Sequence, residues 1–133
     1  MRYTCVNAEI DEYVSRVMMT MGISPALNGF AYLKMAIEMY LFNDYNMNEI
    51  CEGIACNISV SKKSVERDMR TALNASQEKE LQDKINDFAG FEIVYSGEKL
   101  CVKEFIATIC ELISFLYRTE IDKYMNSERE IGA

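Results

Sequence analysis

Four basic side chains crowd together in an otherwise acidic chain: Lys62, Lys63, Arg67 and Arg70 fall within residues 58–76, opposed only by Glu66 and Asp68. That island is net +2, whereas residues 1–57 are net −4 and residues 77–133 net −5, within a total of −7 over 133 residues. At about 100° per residue along a helix, Lys63, Arg67, Arg70 and Asn74 share one narrow stripe. Val65, Met69 and Ala72 lie around the opposite side. Such a helix has one face for a core and one face of long hydrogen-bond donors, with Glu66 and Thr71 on its flanks. Arginine grips guanine O6 and N7 through two hydrogen bonds, and a glutamate accepts from cytosine N4. Ser61 and Ser64, together with the N–H groups at the helix start, suit a phosphate, as does Lys62 beside the stripe. The competing account is a solvated face with Glu66–Arg70 as a surface ion pair. Both stay open at this point.

Other chemistry finds less support. No histidine is present, which removes the commonest general base and every Ser-His or Cys-His dyad. The five cysteines, Cys5, Cys51, Cys56, Cys101 and Cys110, are odd in number and form no C-x-x-C pair, so neither a disulfide framework nor a zinc site is expected. Carboxylate pairs such as Glu49/Glu52 read as solvated charges on a polar face. Neither G-x-x-x-x-G-K-[ST] nor G-x-G-x-x-G occurs. The nine methionines read as core filler. No enzyme, metal or cofactor is expected.

A chain that is 50% hydrophobic with one proline supports one compact domain over residues 1–133. Its most apolar stretch, Phe105 to Tyr117, is interrupted by Glu111 and is too short to span a membrane. Glu9, Asp11 and Glu12 argue against a secretory leader, so a cytoplasmic protein with no membrane partner is expected. The elements that position the basic stripe read as helices throughout, about six of them, in an all-α fold.

Glu9 to Met21 has helical apolar spacing with Gly22 as its stop. Ser24-Pro25 reads as the start of a second helix running to about Phe42. Asn46 and Glu49 form a capping-box pair opening a helix through about Asn57. Ser61 caps the next, over about 62–75, and Ser76 reads as the cap of another that Gly90 ends. Phe91 to Tyr95 is a strand or a loop. A last helix, apolar on most sides and expected at the centre of the core, runs from near Val102 to about Tyr117. Asn126 to Ala133 is expected to fray.

Residues 54–67 have the spacing of a helix-turn-helix. Ala55 lies where two helices would touch, Val60 seals the turn, Ser61 caps, and Val65 faces back. The usual turn glycine is missing, with Ser59 near its place.

From about Ile10 to Tyr117 the chain resembles the C-terminal DNA-binding effector domain of the stage-zero sporulation response regulator of endospore-forming bacteria. Three blocks carry the resemblance: residues 21–37, with the Gly29-Phe30-Ala31-Tyr32-Leu33 helix; Ile54-Ala55 through Arg67-Asp68-Met69-Arg70-Thr71-Ala72; and Gly90-Phe91 followed by Glu104-Phe105-Ile106-Ala107. The resemblance implies an all-helical domain that places one recognition helix in the major groove of a short promoter box. Its base-reading positions correspond to Glu66, Arg67 and Arg70. The family's basic residues in the first helix of the motif are Cys56 and Asn57 here, and a histidine often found after the second arginine is Thr71.

The segment the family uses toward the RNA polymerase sigma factor corresponds to Gln77–Ala89 and differs strongly. The family's phosphorylated receiver is not expected within these residues, so a stand-alone effector domain is expected. Two functions follow. One is a DNA-binding transcription regulator, pairing as a homodimer on tandem double-stranded sites. The other is an interaction module that pairs with a full-length relative or with RNA polymerase.

Overall fold

The computed structural model describes residues 8–42, 45–95 and 98–116. Five helices are followed by a sixth: α1 (Ala8–Thr20), α2 (Asn28–Phe42), α3 (Met47–Ile58), α4 (Lys62–Gln77), α5 (Leu81–Ala89) and α6 (102–116). Among the described residues there is no strand, and the fold is all-α. The core draws on every helix, including Val14 and Met18 of α1, Leu33 and Ile37 of α2, Ile50 and Ile54 of α3, Met69 and Leu73 of α4, Ile85 of α5 and Phe105 and Ile109 of α6.

Local signals set most of the boundaries. Gly22, at φ +81°, ends α1: Ile23 N–H donates to the Met18 carbonyl and Gly22 N–H to Met19, satisfying carbonyls the helix leaves unpaired. Asn46 and Glu49 exchange side-chain-to-backbone bonds at the start of α3. Gly90, at φ +85°, closes α5.

Three expectations are corrected. α2 begins at Asn28 rather than at Ser24-Pro25. Leu27 N–H bonds the Ser24 carbonyl and Phe30 N–H the Leu27 carbonyl, each three residues back, so a tight separate turn precedes the helix. Ser76 caps nothing: it is buried inside α4, where its hydroxyl donates to the Met21 carbonyl at 2.7 Å. α5 starts instead at Leu81, after Glu80 in a left-handed conformation. Finally, α6 covers the core rather than running through its centre. Phe105, Ile106, Ile109, Cys110 and Ile113 are buried, but Lys103, Glu104, Glu111 and Phe115 are exposed. Phe91–Tyr95 is irregular, not a strand. Tyr117, the 126–133 tail and Cys5 lie outside the described residues.

Candidate nucleic-acid interface

The turn between α3 and α4 is made without glycine. Ser59 itself takes the left-handed conformation, at φ 57° and ψ 44°, and its N–H bonds the Ala55 carbonyl. Val60 N–H bonds the same carbonyl at 3.1 Å. Ser61 then adopts an extended conformation and its Oγ accepts from Ser64 N–H at 3.1 Å, capping α4 as its type predicts. The Ser64 hydroxyl lies 2.8 Å from Ser61 Oγ.

α4 is strongly two-faced. Val65, Met69, Ala72, Leu73 and Ser76 are buried. Lys63, Arg67, Arg70, Thr71 and Asn74 are exposed, as is Ser61. Lys62, Ser64 and Glu66 are half-buried at the edge. The buried side seats against α2 at close range. A Cβ added to Gly29 would collide with the Asp68 backbone carbonyl and stand 2.7 Å from the Ala72 Cβ. Glycine at 29 is therefore what lets the two backbones meet.

The charges along the edge are lightly engaged. Lys62 bonds Asn48 Oδ1 on α3 and stands 3.9 Å from Glu66. Arg67 Nε lies 3.5 Å from Asp68 with its side chain 68% exposed. Among the described residues, Arg70 and Lys63 make no ion pair. The Glu66–Arg70 pair of the solvated-face account is absent there, and Glu66 faces Lys62 instead. Exposed pairs of this kind contribute about 0–1 kcal/mol, so exchanging them for a polyanion costs little.

Sequence reasoning found the stripe but not its supports. Gly29 and Ala72 meet across more than forty residues, and Asn48 reaches Lys62 fourteen residues away. No local spacing signals either contact. Among the described thiols, Cys51, Cys56, Cys101 and Cys110 are free, the first and last of them buried. Burial raises the Cys51 thiol above its ordinary value and pushes Cys110 up to about 12, keeping both protonated and poorly nucleophilic. The described residues hold no group of three or more Cys, Asp or Glu placed to bind a metal, and no helix long and apolar enough to cross a membrane.

A short left-handed turn, a capped second helix with a polar outer stripe, and an all-helical scaffold define a helix-turn-helix domain. The family model described as "Sporulation initiation factor Spo0A C terminal" matches residues 14–113, and the chain belongs to that family of DNA-binding sporulation regulators. No curated protein matches the chain at a significant level. The match runs from the second half of α1 through most of α6, so it includes the turn and every residue of the stripe.

Proposed function

We propose that this domain reads a specific double-stranded promoter sequence with α4 in the major groove and regulates transcription in the cytoplasm. The observation that supports this best is the division of α4: its apolar face is locked into the core, while Lys63, Arg67, Arg70, Thr71 and Asn74 stand exposed. In this reading Arg67 and Arg70 each grip a guanine, and Glu66 accepts from a cytosine amine. Ser61, Lys62, Lys63 and Ser64 hold phosphates near the start of α4, and Thr71 and Asn74 extend the contact along the groove. Lys62 must first exchange Asn48 and Glu66 for phosphate.

One recognition helix makes few phosphate contacts, so useful affinity comes from paired copies on tandem boxes. The apolar cleft lined by Phe91, Ile93, Leu112 and Phe115 is the surface proposed for that pairing. The same cleft favours the second reading, an interaction module that pairs with a full-length relative or with the polymerase sigma factor, because Phe91 and Phe115 are 64% and 71% exposed.

A gel shift at low salt, with and without the family's promoter box, tests the proposal. Retardation is expected with the box alone. Non-specific affinity comes from phosphate neutralisation by Lys and Arg, and a chain of net charge −7 has little of it to offer. The salt dependence should be shallow, corresponding to roughly three to five phosphate contacts per copy. Equal retardation of both duplexes, or of neither, rejects sequence-specific binding.

A further inference from the structure

Beside the recognition stripe lies a groove enclosing about 530 Å³, walled by α3, α4 and the start of α6. Met47, Met69, Leu73 and Leu100 supply apolar lining, and Arg70 and Lys103 bring positive charge to it. Glu66, the acid in the lining, already stands 3.9 Å from Lys62. Among the described residues neither Arg70 nor Lys103 makes an ion pair. The volume falls within the range of about 300–1,000 Å³ that small-molecule sites occupy.

We infer that this groove binds a free amphipathic carboxylate, a medium-length aliphatic chain ending in one anion, and that its occupation competes with DNA. The apolar lining takes the chain, and Arg70 and Lys103 take the carboxylate. Charge complementarity selects an anion over a neutral or cationic amphiphile. A carboxylate on Arg70 takes up part of its guanidinium fork and sets a negative charge beside the phosphates the duplex would bring to α4, so carboxylate and duplex oppose each other's binding. The competition therefore rests on the DNA-reading role of Arg70, whereas binding of the carboxylate itself does not.

The test titrates octanoate and decanoate, below their micelle concentrations, into the full chain and follows backbone amide shifts. Saturable binding is expected, with shifts centred on Met47, Leu100 and Lys103, and with each added methylene tightening it about two- to fourfold. Decanol and decyltrimethylammonium should bind at least about tenfold more weakly, from the loss of a charge-assisted contact. Lys103→Gln, an exposed change that spares the fold, should weaken decanoate several-fold and leave decanol unchanged.

Saturating decanoate should release the promoter duplex in a fluorescence anisotropy assay. Equal affinity for decanol, shifts centred on the Phe91–Phe115 cleft, or binding that needs anionic vesicles would overturn the assignment. Retention of the duplex at saturating decanoate would overturn the competition. If the chain binds no DNA at all, the direct titration still decides the ligand site, so the two failures are distinguishable.

Discussion

The stretch from Asn46 to Gln77 and the stretch from Glu78 to Cys101 are held in place by different means. In the first, the helix starts and the turn are settled by near neighbours: Asn46 with Glu49, Ser59 and Val60 with Ala55, Ser61 with Ser64. In the second, side-chain amides reach along the chain to tie down irregular backbone. Asn86 accepts from the N–H groups of Ile93 and Val94 at 2.8 and 3.1 Å and donates to the Val94 carbonyl. Gln77 both accepts from Leu100 N–H and donates to its carbonyl. Gln82 bonds the Glu98 carbonyl. α4 is thus capped from local information, and tertiary contacts have only to seat it. After α5, which Gly90 closes locally, the irregular backbone of the later segment is held by those amides.

The seat of α4 on α2 is the most sensitive point of the first region. Gly29→Ala forces a Cβ against the Asp68 carbonyl, and backbone on a packed helix cannot swing aside as a flexible side chain can. Overpacking costs about 1–3 kcal/mol, and a backbone collision should sit at or above the top of that range. Urea unfolding should show about 3 kcal/mol lost, and promoter binding should fall with it. A change below about 0.5 kcal/mol, within the ordinary scatter of surface substitutions, would mean that α2 and α4 do not meet this closely.

Asn86→Ala probes the other region. It strands two partly buried N–H groups, at about 1–2 kcal/mol in urea unfolding. Affinity for the promoter box should stay within about twofold of the parent, since 1.4 kcal/mol of coupling would be needed for a tenfold change. A larger loss of affinity would show that the two regions are coupled.

Ser59→Gly sharpens the account with the smallest effect. A non-glycine residue in the left-handed region carries a cost of roughly 1 kcal/mol that glycine avoids. The variant should be more stable by about 0.5–1 kcal/mol, with the melting temperature raised by a few degrees. No gain would place the strain elsewhere in the turn.

The same contrast explains what was legible in the sequence. Gly22, Asn46, Ser61 and Gly90 act through bonds spanning five residues or fewer, so their types and spacings sufficed. The missing turn glycine was legible near Ser59, but that Ser59 itself takes the left-handed φ is seen only in the structure. The stripe followed from helical periodicity alone. Ser24-Pro25 and Ser76 misled because both sit in favourable local patterns that tertiary structure overrides. The close seating of α2 at Gly29 accompanies a later helix start, and Ser76 finds the Met21 carbonyl 55 residues away. The groove beside Arg70 was invisible, since Met47, Leu73 and Lys103 come together only through the packing of three helices.

In the proposed function Arg67 and Arg70 read bases rather than merely attract phosphate. Fluorescence anisotropy with Arg67→Ala and Arg70→Ala, each on the promoter box and on a scrambled duplex, tests it most directly. Both side chains are exposed, so neither variant should unfold the domain. Each substitution should cost on the order of 1–3 kcal/mol on the box and little on the scrambled duplex, whereas Lys62→Ala should weaken both alike. If both arginine variants bind the two duplexes as the parent does, the stripe is a solvated face and the interaction-module reading replaces base recognition.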